Sequence, residues 1–406
     1  MICIVGAGFS GLTLAWELSK RGLAVEIWEQ SDHISGLISS HRDELSLRET
    51  AANALIWTPE IESLLQELEL PWIPTRPEAK KRFFFRRGLK RWPLSFFESL
   101  ALGIKISPAI FLRKRYFKPK DRESILDWGR RVLTEAATKF LLEPALQGIY
   151  AGDISKMSAS LVLGSLFQKK RAGAPRYRGS LSFEQGMGEL IERLQDRLVK
   201  KGVIFRKQSP LESYPHGKAV VLAVSAASAA KILKTRYPDL SDRLSRVQML
   251  PLASVTLVFG PQAHKIEGFG VLFPRGQGVR SLGVLANSMI FESRGPCYSE
   301  TWLMGGAQDL SVAQLTDKDC EAIALADREK LAQTLEKPLR SHVQIWAEAL
   351  PHANQELKDF VDFFQERQSE VWLTGNYLGG LGLSKIYSWN CGLAEKIQNS
   401  LETKND

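Results

Sequence analysis

A short apolar run, Ile2-Cys3-Ile4-Val5, gives way at once to Gly6-Ala7-Gly8-Phe9-Ser10-Gly11, then to a helix-compatible stretch, Leu12 to Lys20. A second strand-like run, Leu23 to Trp28, follows and is closed by Glu29. Each glycine has its own steric task in such a unit. Gly6 allows a tight turn, Gly8 lets the backbone approach a pyrophosphate, and Gly11 lets the new helix pack closely on the strand. The helix aims its N-terminal amides and the positive end of its dipole at the phosphates. Glu29 stands eighteen residues after Gly11, where a carboxylate accepts hydrogen bonds from an adenosine ribose. Three glycines at this spacing are a weak signal alone. The order strand, glycines, helix, strand and terminal acid predicts a Rossmann-like dinucleotide-binding domain.

The 406 residues are 44% hydrophobic and 24% charged, enough for two or three domains of ordinary globular composition. No run of about 18 apolar residues occurs, so no membrane span is expected. A strand that begins at residue 2 leaves no room for a cleavable signal peptide, and the expected location is the cytoplasm. Cys3, Cys297, Cys320 and Cys391 lack CxxC spacing. The six histidines, His33, His41, His216, His264, His342 and His352, form no HxxxH or HExxH pair. No metal site, disulfide framework or catalytic metal is therefore expected. A GxSxG or catalytic-cysteine signature is missing too.

The net charge of +9 is unevenly spread. Lys80, Lys81, Arg82, Arg86, Arg87, Lys90, Arg91, Arg113, Lys114, Arg115, Lys118 and Lys120 are interleaved with Phe83 to Phe85, Trp92, Phe96, Phe97 and Phe111. Such a region suits an anionic lipid face, the rim of a pocket for an acidic substrate, or a nucleic-acid surface. With no nucleic-acid module in the chain, no nucleic-acid partner is expected. A simply solvated basic face is the alternative.

Coarse periodicity divides the chain. Pro59 opens a helix, and from about Arg82 to Leu166 the pattern is mainly helical apart from Phe83 to Phe85, with helices at Ser124 to Val132 and Glu135 to Leu146. A helix at Glu189 to Lys200 precedes strands at 203–206 and 219–224 that rejoin the first sheet. Strand-like runs at Ser254 to Phe259, Gly270 to Phe273, Ser281 to Leu285 and Thr301 to Met304 predict a second, mixed or antiparallel sheet. At 370–383 a strand runs into a glycine-rich loop, and a final helix follows.

One dinucleotide fingerprint is present and no second one appears at mid-chain. An enzyme reducing its flavin with a diffusible nicotinamide commonly carries two. The late loop Gly375 to Gly382 can instead approach the rest of a large cofactor, which favours a tightly bound FAD in an oxidase over NAD. The flavin then carries the redox step, and the protein supplies position and electrostatics. The expected fold is α/β: a discontinuous Rossmann-like FAD-binding domain (1–80, 167–250 and 366–406), a mixed-sheet substrate domain (251–365) and a helical, membrane-associating insertion (81–166).

Several stretches are more specific than the glycines: Glu143-Pro-Ala-Leu-Gln-Gly148-Ile-Tyr-Ala-Gly152-Asp, Lys81-Arg82-Phe-Phe-Phe, Glu267-Gly-Phe-Gly-Val-Leu272-Phe-Pro, Leu282-Gly-Val-Leu285, Leu303-Met-Gly305-Gly306 and Gly375-Asn-Tyr-Leu-Gly-Gly-Leu-Gly-Leu383. On them the chain resembles, over nearly its whole length, the protoporphyrinogen oxidase family of the flavin-containing amine oxidase superfamily. The resemblance implies a six-electron oxidation of a porphyrinogen in late haem synthesis, with molecular oxygen reduced to hydrogen peroxide. Hydride passes to the flavin, so no dedicated catalytic side chain is implied. It places Arg82 at a propionate, where a guanidinium can grip a carboxylate with two hydrogen bonds. Leu272, Leu285 and Leu303 would sandwich the macrocycle, and Gly148 would leave it room.

The implied flavin contacts are Gly6, Ala7, Gly8, Phe9, Ser10 and Gly11 at the pyrophosphate, Glu29 at the ribose, Gly36, and the loop Ala51, Ala52, Asn53 and Ala54 near the isoalloxazine. Leu211 would meet the adenine side, and Asn376, Leu381, Gly382 and Leu383 would close the site. The resemblance also implies an anionic membrane surface as partner, through Phe96 to Ile106, Phe111 and Arg113 to Arg115, and allows a homodimer. Two departures touch the flavin: the usual Gly-Gly is Ser35-Gly36, and the usual Glu-x-Gly-Pro-x-Gly is Glu49-Thr-Ala51-Ala52-Asn53-Ala54. Alanine for glycine is tolerated at negative φ and costs about 1 kcal/mol or more at positive φ. The segment from Val203 to Ala219 is also short for the family, a trimming expected to leave catalysis intact.

Two readings follow. One is a working porphyrinogen oxidase, with coproporphyrinogen III as alternative substrate to protoporphyrinogen IX. The other is a non-catalytic relative that binds flavin or porphyrin. An amine oxidase or carotenoid desaturase suits the chain less well, since no flavin-linking Cys or His stands near the terminal loop.

Overall fold

The computed structural model describes residues 1–111, 116–167, 177–215, 219–366 and 371–402. Its first sheet is parallel throughout, in the spatial order Ile204–Arg206, Val25–Trp28, Ile2–Val5, Ala219–Leu222, Trp372–Leu373. All four residues of the central strand Ile2–Val5 are buried, as a parallel sheet covered on both faces requires. Ile2 and Ile4 pack on one face against the helices Phe9–Lys20, Gly188–Lys200 and Leu383–Glu402. On the other, Cys3 and Val5 meet Ala226–Leu233, Pro238–Ser245 and Gln355–Glu366. Helix Gly188–Lys200 shows why it docks: Leu190, Ile191, Leu194 and Leu198 form one buried stripe at helical spacing. The strands come from three separated parts of the chain, as the periodicity predicts.

The second sheet has seven strands, in the order Arg340–Pro351, Met249–Phe259, Tyr298–Gly305, Gly283–Leu285, Gly270–Leu272, Phe83–Phe85, Leu89–Lys90. All neighbours are antiparallel except Gly270–Leu272 with Phe83–Phe85, so the sheet is mixed. Two features differ from the sequence expectation. The twelve-residue edge strand Arg340–Pro351 adds to the four expected runs. The hairpin Phe83–Phe85/Leu89–Lys90 belongs to this sheet, and the helical part begins only at Phe96.

That part comprises Phe96–Phe111, Ile125–Val132, a continuous run from Glu135 to Tyr150 with a π-helical stretch at Thr138–Leu142, and Ala159–Leu163. Ser124 caps its helix by accepting the Asp127 N–H at 3.0 Å. The run from Glu135 passes the expected end at Leu146 and closes at Ala151, which takes a left-handed φ of 50°. Residues 112–115, including Arg113 to Arg115, lie outside the described residues.

Candidate functional site

The turn after Ile2–Val5 has no room for side chains. Gly6 has a φ of +105°, and a Cβ there would stand 2.5 Å from the Ala223 carbonyl oxygen. A Cβ on Gly11 would stand 1.9 Å from the Gly6 carbonyl oxygen. Gly8 precedes helix Phe9–Lys20 and provides no side-chain cap, which leaves the first-turn amides open to an anion. Its Cβ position meets only the Gly36 Cα, at 3.5 Å, so the two glycines form a bare backbone cradle. Glu29 is half-buried beside it and accepts the Ala7 N–H (2.8 Å), the Ser31 N–H (3.0 Å) and the Ser31 hydroxyl (2.9 Å). A carboxylate has about four lone-pair sites, so capacity remains for a ribose hydroxyl. Ser209 N–H donates to the Glu29 carbonyl at 2.9 Å, bringing the segment with half-buried Leu211 to the same side.

The loop Ala51 to Ala54 follows Thr50, whose hydroxyl donates to the Leu37 carbonyl at 2.7 Å and accepts the Ser39 N–H at 2.9 Å, just after Gly36. All four residues, and Ser35, have negative φ, so the departures from glycine carry no backbone strain. The loop is braced from behind. Buried Glu49 accepts the Met187 N–H at 3.0 Å and the Ser40 hydroxyl, with buried Arg294 3.8 Å away. Burial pushes the Glu49 carboxyl up from its ordinary value, against the hydroxyl, Arg294 and the amide, which act to lower it. From the second sheet, Trp346 Nε1–H donates to the Thr50 carbonyl at 3.1 Å. The third loop joins here. Ser384 donates its hydroxyl to the Ile56 carbonyl, and Asn390 donates from Nδ2 to Ser10 O and Thr13 Oγ1, each at 2.8 Å. Leu381, Gly382 (φ +104°) and Leu383 therefore stand at the start of helix Leu383–Glu402, against the loop after Ala54. Asn376 instead spends its amide on the Ala349 carbonyl, at 3.2 Å.

The register of the second sheet gathers the other expected residues. Gln344, Ser254, Leu303, Gly283, Leu272, Phe84 and Lys90 are paired in sequence across the strands, and paired residues share a face. The neighbouring row holds His342, Thr256, Thr301, Leu285 and Gly270. Leu252, Ser254, Leu272, Leu285 and Leu303 are all half-buried. Their alternates Ala253, Val255, Val271, Val284, Trp302 and Met304 are at most 2% exposed and pack against helix Asp317–Ala332. The three leucines thus form one open apolar floor, which continues through Trp346 to the Thr50 loop. Gly148, exposed on helix Glu143–Tyr150, closes over it: a Cβ there would stand 2.6 Å from Leu272 Cδ2.

Arg82 is exposed at the far edge of the floor, its guanidinium 4.7 Å from the centre of the Phe269 ring, with Lys90 on the outermost strand. Beyond this edge lies a cleft of about 590 Å³ bordered by Arg86, Arg87, Lys90, Trp92, Glu98 and Phe140. Arg86 lies over Phe140 at 3.7 Å and grips Glu98 with two bonds of 2.7 and 2.9 Å. That grip holds the Glu98 carboxyl down at about 2. On the adjoining helix, Phe96 (75% exposed), Phe97 (78%), Leu100 and Ile104 form one exposed apolar stripe. No helix among the described residues is long and apolar enough to cross a membrane.

The sequence pattern missed the polar end of the floor. Thr256 and Thr301 share a hydrogen bond of 3.0 Å, and Asn287 Nδ2 donates to Thr301 at 2.9 Å. Alternation in 249–259 and 340–346 would have pointed to this face, since half-buried Leu252 and Ser254, followed by buried Thr256, interleave with buried Ala253, Val255 and Leu257.

Residues 4–68 match the family of NAD(P)-binding Rossmann-like domains. Over the whole chain, a mitochondrial protoporphyrinogen oxidase of Nicotiana tabacum is 25% identical, with 99% of this chain and 95% of that one aligned. A coproporphyrinogen III oxidase of Bacillus subtilis is 22% identical over 94% of each. A crystal structure from Exiguobacterium sp., provisionally assigned as a protoporphyrinogen oxidase, superposes with a TM-score of 0.80 over 98% of both chains, at 19% identity.

Proposed function

We propose that this chain, which resembles the porphyrinogen oxidases along its whole length, oxidises protoporphyrinogen IX to protoporphyrin IX in haem biosynthesis, with molecular oxygen as electron acceptor. The cofactor is FAD, and the cleft suits it: a bare Gly8–Gly36 cradle, uncapped helix amides and Glu29 at one end, two further loops meeting at the other. Bound FAD supplies the hydride acceptor and returns the electrons to oxygen. The protein's own residues bind and orient.

The observation that carries this reading is the floor. Leu272, Leu285 and Leu303 offer a flat, half-open apolar face that runs toward the Ala51 to Ala54 loop and ends in cations at the opposite edge. A flat macrocycle with carboxylates along one edge matches that layout, with Arg82 gripping a propionate and Gly148 leaving clearance above the ring. The negative φ values of Ala51 to Ala54 favour a flavin-competent loop over the non-catalytic alternative. The exposed stripe from Phe96 to Ile104, next to Arg87, Lys90 and Arg91, supports peripheral attachment to an anionic membrane on its cytoplasmic face.

The test is an anaerobic mix of purified holoprotein with protoporphyrinogen, followed by air. Flavin bleaching, then porphyrin fluorescence on reoxidation, is the expected result. A yellow protein that never bleaches, or one that holds no flavin, overturns the reading.

A further inference from the structure

The helix that closes over the floor, Glu143–Tyr150, ends where two of the specific sequence stretches meet. Ala151 takes the left-handed φ that stops the helix, and its carbonyl accepts the Ala307 N–H at 2.8 Å. The approach needs Gly306 to carry no side chain, since a Cβ there would overlap the Ala151 carbonyl oxygen. Gly152 comes next. Its Cβ position lies 2.5 Å from Met157 Sδ and 3.3 Å from His352 Cδ2, so only bare backbone lets the imidazole settle against this turn.

His352 stands just past the strand Arg340–Pro351 and is 1% exposed. Its backbone N–H donates to the Gln248 carbonyl at 2.8 Å, its Nδ1 lies 3.1 Å from Gln248 Oε1, and its Nε2 accepts the Asp153 N–H at 3.2 Å. A backbone N–H can only donate, so Nε2 is the bare nitrogen and Nδ1 carries the proton that goes to Gln248. Two partners on two separate segments thus fix one neutral tautomer. The seam continues beyond the ring: Ser158 N–H donates to the Ala353 carbonyl at 2.8 Å, and Met157 bridges Asn354.

We infer that His352 is a positioning residue: by holding the Asp153 amide, its neutral imidazole fixes the end of the helix whose Gly148 stands over Leu272, and so sets the height of the substrate cleft. The inference rests on the porphyrinogen reading of that cleft. Only the neutral ring can serve, because a protonated Nε2 becomes a donor and confronts the amide hydrogen. Burial, the largest influence, and the charge of Lys156 hold the imidazole below its ordinary 6.5, against the charges of Asp153 and Glu356, which act to raise it. The unfolded chain therefore takes up this proton first, so the contact is intact above pH 6.5 and is lost as pH falls below it.

The test compares the holoprotein with His352→Gln and His352→Leu, measuring kcat and KM for protoporphyrinogen separately at about pH 8 and about pH 5, with FAD counted by absorbance. Glutamine keeps an acceptor near the Nε2 position and does not titrate, whereas leucine leaves the Asp153 amide without a partner. The expected result is a KM raised about tenfold in His352→Leu at both pH values, with kcat and FAD content unchanged. Wild type should show the rise only in acid, and His352→Gln should hold the low KM throughout. An equal KM in all three proteins at about pH 8, no acid rise in wild type, an acid rise shared by His352→Gln, or a loss that falls on kcat or FAD overturns the inference and leaves the porphyrinogen reading standing. Should His352→Leu fail to fold, the pH profile of His352→Gln decides alone. Wild type without turnover overturns both.

Discussion

Gly148→Ala separates a residue that shapes the substrate cleft from one that holds the fold. The new methyl would stand 2.6 Å from Leu272 Cδ2, against the ordinary 3.5–4.0 Å for carbon pairs, so Leu272 must retreat by about 1 Å. The clash is with the tip of a flexible side chain and costs about 0.5–1.5 kcal/mol as an off-rotamer strain. Gly148 lies within helix Glu143–Tyr150 and has no positive φ, so alanine returns about 1 kcal/mol of helix propensity. Stability should therefore hardly change. The space open to Leu272 is over Gly283, its partner in the sheet, whose Cβ position lies 3.5 Å from Leu272 Cδ2. The displaced methyl thus rises from the floor into the volume of the macrocycle. A misfit of about 1.4 kcal/mol there is a tenfold rise in KM for protoporphyrinogen. Adding Leu272→Val removes one methylene and should recover most of it. Urea unfolding, flavin content, and kcat and KM measured separately read the result. An unchanged KM, a loss of flavin, or a double variant no better than Gly148→Ala refutes the assignment of Leu272 and Gly148 to opposing walls.

Gly11→Ala has no flexible neighbour to displace, since its Cβ would meet the Gly6 carbonyl oxygen at 1.9 Å; the purified protein should lack flavin absorbance. Glu49→Ala leaves Arg294 buried without its counter-charge, which should cost about 3–5 kcal/mol in urea unfolding and loosen FAD. Glu98 titrates at about 2 when folded against 4.5 ordinarily, so between those values the unfolded chain binds more protons. Its contribution is present above pH 4.5 and is lost as pH falls toward 2; Glu98→Gln should flatten the acid decline of the melting temperature, and an identical decline counts against the Arg86–Glu98 grip. Phe96→Ser with Phe97→Ser should reduce pelleting with anionic vesicles without changing flavin content, and unchanged pelleting removes these rings from the membrane contact.

Much of this architecture could be read from the amino-acid order because local chemistry coincided with tertiary need. Gly6 and Gly11 are legible because no other residue could stand so close to a neighbouring backbone. Leu190, Ile191, Leu194 and Leu198 are legible because a helix on a sheet needs such a stripe. Leu272, Leu285 and Leu303 are different: they look like core, and only cross-strand register puts them on one open face. The strand Arg340–Pro351 escaped because Trp346-Ala347 and the register shift that follows break the short alternation of His342, Val343, Gln344 and Ile345. Ala51 and Ala54 look costly where the pattern has glycine, yet their backbone lies where alanine is at ease.

The strand Ile2–Val5 leaves the ribosome well over three hundred residues ahead of the last strand of its sheet, Trp372–Leu373. The helix that ties down the phosphate loop through Asn390 follows later still. A nascent chain therefore carries a written but unassembled nucleotide site through most of its synthesis, while the substrate sheet from Phe83 to Pro351 can already pair. Cofactor capture waits for these late residues, and a chain stopped before Trp372 would emerge with its apolar floor laid and no means of keeping a flavin.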